Sequence, residues 1–216
     1  RLYFDQKDGF FKGRLSDGHF PKDFNPLRPD NNIYAEGNAW QYLWLVPQDV
    51  YGLINLMGGE AAFNARLDSF FQLQTPAAEK KLVDLTGLIG QYAHGNEPSH
   101  HIAYLYTYSG QQWKTAEKAR YIMENFYHDK PDGIIGNEDC GQMSAWYVFS
   151  AMGIYPVFPA STQYVFGSPL MDAATIHLGN GKSFVIIAKN NDAQHPYIQQ
   201  IWLNGHTYTK GYITHQ

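Results

Sequence analysis

The chain has 216 residues, 44% of them hydrophobic and only 17% charged; a compact fold of this length buries about 70% of its unfolded surface, which excludes a disordered polypeptide. Its 16 Lys and Arg against 20 Asp and Glu give a formal net charge of −4, with no basic stripe to neutralise a phosphate backbone, so nucleic acid is not the expected partner. The surplus over an average soluble chain is aromatic, with 16 Tyr, 13 Phe and 5 Trp, rings that need surfaces to stack on.

No apolar run approaches the roughly 20 residues that span a bilayer, and the amino-terminal segment, with Lys7, Asp8, Lys12, Arg14 and Asp17, has no apolar stretch of the kind a signal peptide requires. A lone Cys140 cannot form an internal disulfide, which leaves the redox compartment open. A start at Arg1 and a stop at Gln216 read as processing or as a piece of a longer polypeptide.

Residues 1–38 are rich in Gly, Pro, Asp and Asn and read as irregular structure. Apolar residues from Trp40 to Met57 recur at helical spacing, with Pro47 expected to start or kink a turn. Gly58 and Gly59 end that helix, and Glu60 to Leu73 form a second with Ala62, Phe63, Leu67, Phe70 and Phe71 inward. Thr75 caps a third over Ala77 to Leu85, opened by Pro76, and Gly87 to Asn96 is a loop. A fourth helix runs from Pro98 and Ser99 to Tyr108. A fifth runs from Gln111 to about Phe126, with Trp113, Ala116, Ala119, Ile122, Met123 and Phe126 on one face. After a glycine-rich turn, Gln142 to Met152 form a sixth, ended by Gly153 with Pro156 beyond.

Past Pro159 the period falls to two, with strands expected at Tyr164–Phe166, Ala174–Leu178, Phe184–Ala188 and Gln200–Leu203, and tight turns at Gly179–Gly181 and Asn204–Gly205. The expected fold is therefore mainly α, a run of helical hairpins over 1–158, followed by antiparallel β-sandwich strands over 159–216. Consecutive hairpins suggest an (α/α)6 toroid, of which these helices make about half, because each hairpin buries both flanks against neighbours. Either the rest lies in further chain, or the hairpins close a smaller bundle.

Three polar clusters interrupt apolar helical sequence at loop-to-helix junctions, where side chains can enter a cavity. The first runs from Tyr34 to Tyr42. Burial of Glu36 beside Trp40 would keep it protonated, as a general acid requires, whereas the plainer reading is a helix cap by Glu36 or Asn38. The second runs from Gln91 to His101. Asn96 and Glu97 offer oxygen ligands suited to calcium, and Gly95 lets carbonyls converge, while the adjacent His100 and His101 match no zinc pattern; a simple helix start at Asn96-Glu97-Pro98 is the alternative. The third runs from Gly136 to Tyr147, where Glu138 and Asp139 precede a ring-rich helix. This suits a base held at a cavity rim or an N-cap by Asp139. Cys140 beside carboxylates makes a poor nucleophile. Opposed carboxylates at Glu36 and Asp139 with aromatic walls describe a sugar-cleaving site, since inverting glycosidases use an acid and a base about 6.5–9.5 Å apart.

The stretches YAEGNAWQYLWLV (34–46), HGNEPSHHIAY (94–104), GNEDCGQMSAWYVFSAMGIYP (136–156) and YIQQIWLNG (197–205) closely resemble glycoside hydrolase family 92, calcium-dependent exo-acting α-mannosidases. The resemblance implies an N-terminal β-sandwich, an (α/α)6 toroid and C-terminal β structure, of which this chain matches the last half of the toroid and part of the closing β region. Carried over by position, it implies Glu36 as general acid, Asp139 as general base, Asn96 and Glu97 around Ca2+, and Trp40, His94, His100 and His101 in or near the mannose subsite. It also implies an inverting reaction on α-mannosidic linkages, α-1,2 in many members, of a mannose-containing glycan. The remaining β-sandwich and half-toroid of the same polypeptide would complete the pocket, in a secreted, periplasmic or cell-surface setting. A second catalytic carboxylate, present near the base in some members, has Asn137 at its position and Glu138 beside it, and stays open. Two rivals are a non-catalytic carbohydrate-binding fragment and another toroid hydrolase of trehalase-like or glucoamylase-like type.

Overall fold

Residues 2–29, 33–74 and 85–215 are described by a computed structural model. The chain divides into two compact units: Arg1–Ile102 with Ile135–Asn137, and Ala103–Ile134 with Glu138–Gln216.

In the first unit the segment expected to be irregular holds a short antiparallel hairpin, β1 (Phe4–Asp5) with β2 (Phe10–Phe11). Just after it the ammonium of Lys12, only 3% exposed, is enclosed by Asp5 at 2.7 Å, by Asp8, and by the Phe24 ring 4.1 Å away. Counter-charges and a ring face make that burial tolerable.

The helix expected over 40–57 is broken. It becomes α1 (Ala39–Tyr42), a 3-10 turn at Pro47–Asp49 and α2 (Val50–Leu56). Pro47 has no N–H to continue a helix, and Asp49 restarts one by accepting from the Gly52 N–H at 2.8 Å. After the left-handed pair Gly58 and Gly59 comes α3 (Glu60–Gln72). Its Phe63, Leu67, Phe70 and Phe71 are buried, and the Trp44 ring meets Phe63 at 5.4 Å and Phe70 at 5.6 Å; Ala62, expected inward, is exposed. Each such side chain taken out of water stabilises the unit by about 1.5–3 kcal/mol.

The third expected helix, Ala77 to Leu85, lies outside the described residues except for Leu85, which is buried. The following loop contains a second hairpin, β3 (Leu88–Ile89) with β4 (Tyr92–Ala93). Its turn rests directly on the end of α3: Gln91 N donates to Phe70 O at 2.8 Å, and a Cβ on left-handed Gly90 would lie 2.6 Å from that same oxygen. Only glycine fits there.

The fourth expected α-helix is two 3-10 segments, Glu97–Ser99 and Ile102–Ser109. The second crosses into the second unit, and Ile102 to Tyr106 are all at most 1% exposed. A run buried on every side shows no amphipathic period to distinguish helix types.

In the second unit α4 (Gln112–Phe126) and α5 (Gln142–Ala151) form as expected. Ala116, Ala119, Ile122 and Met123 of α4 and Met143 and Trp146 of α5 are buried, whereas Trp113 is 48% exposed. A ring cluster fills the centre: Tyr104 stacks on Tyr155 at 4.6 Å and Tyr127 on Trp146 at 6.0 Å.

The tail is antiparallel throughout its described residues. β5 (Ile154–Tyr155), β6 (Gln163–Phe166) and β11 (Tyr212–Thr214) make one sheet in the order β11-β6-β5. β7 (Ala173–His177) pairs with β8 (Ser183–Ile187), and β9 (Ile201–Leu203) with β10 (His206–Tyr208). Asn204 and Gly205, at φ of 53° and 82°, supply the left-handed pair of the last turn. Arg120 reaches from α4 into this region, donating to Ser168 Oγ at 3.0 Å, to the Pro169 carbonyl and to Asn191 Oδ1.

Candidate active site

The first cluster resolves the choice of cap. Asn38 is the N-cap of α1: its Oδ1 accepts from Trp40 N at 3.0 Å and Gln41 N at 3.3 Å, and Gln41 Oε1 accepts from Asn38 N at 2.7 Å. This reciprocal capping box extends into a buried network, because Asn38 Nδ2 donates to Gln91 Oε1 at 3.0 Å and Gln41 Nε2 to Gln91 O at 2.9 Å. Glu36 takes no part in it. Its backbone is left-handed, φ 57°, and its side chain is exposed rather than buried as expected. A non-glycine residue held there costs of order 1–3 kcal/mol and persists where its surroundings enforce it. Tyr42 lies close enough that burial, and then the Glu36 charge, push its phenol above the ordinary range.

Asn96 supplies one of the enforcing contacts, its Nδ2 donating to Glu36 O at 3.3 Å. It stands at the cap position of the Glu97–Ser99 turn, yet its side chain makes no capping bond. The helix start anticipated at Asn96-Glu97-Pro98 therefore exists, but the Asn96 amide is spent on the Glu36 corner instead. Glu97 is exposed.

Gly95 and Gly136 meet across a single hydroxyl. A Cβ on Gly95 would collide with Thr86 Oγ1, and one on Gly136 would lie 2.8 Å from Thr86 Oγ1 and 3.0 Å from Gly95 Cα. That oxygen is buried without a hydrogen-bond partner. The first residue of the third cluster is thus packed against the second cluster.

All three imidazoles are buried. His94 has no exposed surface; its Nδ1 lies 2.8 Å from Tyr92 Oη and its ring 5.2 Å from that of His100. Burial, and then His100, push its pKa down to about 2. His100 Nε2–H donates to His94 O at 2.9 Å, and His101 Nε2–H to Trp44 O at 2.7 Å. Burial pushes His101 down to about 4. Trp40, 7% exposed, has the Arg66 guanidinium 4.4 Å over its ring and Phe10 edge-on at 5.1 Å.

In the third cluster the cap position of α5 falls on Gly141 rather than Asp139. Glu138 is the carboxylate that accepts from the N–H groups of Gly141 and, at 3.1 Å, Ser144. The Ser144 hydroxyl and N–H, then the Gly141 N–H, hold its carboxyl below the usual carboxylate range. Asp139 and Cys140 are exposed.

Glu36, Trp40, His94, Asn96, Glu97, His100 and His101 lie in the first unit, and Asp139 in the second. Among the described residues no group of three or more His, Cys, Asp or Glu converges as a metal site. The oxygens of Asn96 and Glu97 are of the kind a hard cation takes, and supply part of the 6–8 ligands calcium needs. The supporting roles of Gln41, Gln91 and Glu138 went unread in the sequence, although Asn38 followed three residues later by Gln41 is the capping-box signature.

Residues 1–216 match the glycosyl hydrolase family 92 catalytic domain. The chain is 41% identical to the family GH92 α-mannosidase BT3965 of Bacteroides thetaiotaomicron, with a TM-score of 0.90 over 99% of this chain and 28% of that one. The GH92 inverting mannosidase BT2199 of the same organism gives 39% identity and a TM-score of 0.85, over 100% of this chain and 30% of that one. A protein of Arthroderma benhamiae described as an uncharacterized secreted glycosidase is 30% identical over 99% of this chain and 28% of its own length. The chain thus spans under a third of the length of these relatives.

Proposed function

The chain belongs to glycosyl hydrolase family 92, and from that membership we propose that it carries the acid and base of an inverting, calcium-dependent exo-α-mannosidase that removes terminal mannose, of the α-1,2 type, from glycans. In this reading residues 1–158 are the second half of an (α/α)6 toroid and 159–216 belong to its closing β region. The observation that carries the proposal is that residues 1–216 match the family's catalytic domain; within the first unit Asn38 caps α1, so capping does not explain Glu36.

Glu36 gives its proton to the glycosidic oxygen as the C1–O bond breaks. A water attacks C1 from the opposite face, and Asp139 takes that water's proton, so mannose leaves with inverted configuration. Asn96 holds the backbone of Glu36 and, with Glu97, offers oxygens to calcium. Held by those oxygens, a calcium ion would add positive charge beside the sugar's hydroxyls. With exposures of 7% or less, Trp40, His94, His100 and His101 shape the subsite from behind. Secretion is in keeping with the description of the Arthroderma relative.

The test is hydrolysis of a panel of α-mannosides and α-glucosides by the full-length protein, with proton NMR of the first sugar released. β-Mannose as first product, lost on calcium chelation and in Glu36→Gln and Asp139→Asn, is expected. Release of α-mannose, or preference for glucosides, overturns the reading.

A further inference from the structure

Glu138 stands beside the residue assigned as base and does something different. Its two carboxylate oxygens take the N–H groups of Gly141 and Ser144, so one side chain spans the start of α5. Between its own backbone and that anchor lie Asp139, Cys140 and Gly141, all left-handed, at φ of 54°, 56° and 97°. Only the last is glycine. Two consecutive L residues persist in that region when the surroundings over-determine them. Here the run is closed at both ends: covalently at Asp139, and through the Glu138 side chain at Gly141. Backbone bonds from Gln142 N to Asp139 O and from Met143 N to Glu138 O, both 3.2 Å, complete the closure.

We propose that Glu138 is a positioning residue for Asp139, fixing through this three-residue left-handed loop the direction in which the Asp139 carboxylate leaves the backbone. The inference rests on the reading of Asp139 as the water-activating base. The donors around Glu138, Ser144 first, keep it an ionised acceptor, which suits a strut and not a proton carrier.

Steady-state kinetics of the full-length protein on an α-linked mannobiose tests it, with Glu138→Ala, Glu138→Gln, Asp139→Asn and the double variant Glu138→Ala/Asp139→Asn. A misplaced catalytic group costs about 100-fold, so Glu138→Ala is expected to lower kcat by about that factor with KM within about threefold. Glu138→Gln keeps one acceptor oxygen and is expected to lose about tenfold. In the Asp139→Asn background Glu138→Ala is expected to change residual kcat by less than about twofold, because a group acting through Asp139 has nothing left to orient. Equal losses in both backgrounds, or a Glu138→Ala kcat within about twofold of wild type, overturn the positioning role while leaving the base assignment intact. Full turnover by Asp139→Asn overturns the base assignment, and the positioning role with it. Thermal melting accompanies each variant, and if Glu138→Ala is unfolded, the same comparison between backgrounds is made with Glu138→Gln.

Discussion

Acidification should unfold this chain by way of its histidines before its carboxylates protonate. His101 is enclosed with its Nε2–H on the Trp44 carbonyl, and burial brings its pKa down to about 4 from the ordinary 6.5; His94 is pushed down to about 2. The folded state therefore holds both rings neutral where the unfolded chain takes up protons. The stability they contribute is fully present above about pH 6.5 and is lost as pH falls toward the folded values. At 1.36 kcal/mol per pH unit, His101 alone accounts for about 3 kcal/mol by pH 4, and each of the two for about 2 kcal/mol by pH 5. Those are large fractions of a total of about 5–15 kcal/mol. Urea unfolding of the 216-residue chain, followed by circular dichroism from about pH 7.5 to about pH 5, reads the slope in a window where Asp5, Glu138 and Asp192, all with lowered pKa, stay ionised. His101→Gln keeps an N–H for the Trp44 carbonyl but cannot titrate, and should flatten the slope by about one proton. A wild-type stability constant within about 0.5 kcal/mol between pH 6.5 and 5 would refute the reasoning.

Asn38→Ala removes the α1 cap and the donor to Gln91, and should cost about 2 kcal/mol of urea-unfolding stability; a loss below about 0.5 kcal/mol would show the network to be dispensable. Gly95→Ala drives a Cβ into Thr86 Oγ1 and should destabilise by about 1–3 kcal/mol, part of which Thr86→Ala restores in the double variant; no recovery would place the strain elsewhere. Residues 1–216 alone should hydrolyse α-mannosides weakly or not at all, because the chain spans under a third of its relatives; robust turnover by the purified chain would show a self-sufficient pocket.

Where one face of an element is polar, the sequence was a good guide. α3, α4 and α5 start and stop within about a residue of their apolar pattern, and the Gly179–Gly181 turn sits between the two strands expected on either side of it. Where burial is all-round, pattern fails: Ile102 to Tyr106 carry no period, so an α-helix was expected in place of a 3-10 run. Short hairpins escape for a different reason, since β3 and β4 are two residues each and exist because their turn docks on Phe70 and Phe71 of α3, a contact no local pattern encodes. At the candidate site the chemical types were legible but the burial was not. Glu36 sits at positive φ and is exposed beside a helix whose Trp40 is buried, whereas all three histidines are covered by the carbonyls and rings around them.

The short stretch Ile135–Asn137 belongs to the first unit although Ala103–Ile134 before it and Glu138 onward after it belong to the second. A ribosome delivering this chain therefore cannot finish one unit and move on to the next. Gly136 reaches its place beside Gly95 and Thr86 only after the ring-rich Ala103–Ile134 segment has emerged. Cutting the chain at any one of its crossings leaves the two units covalently joined through the others.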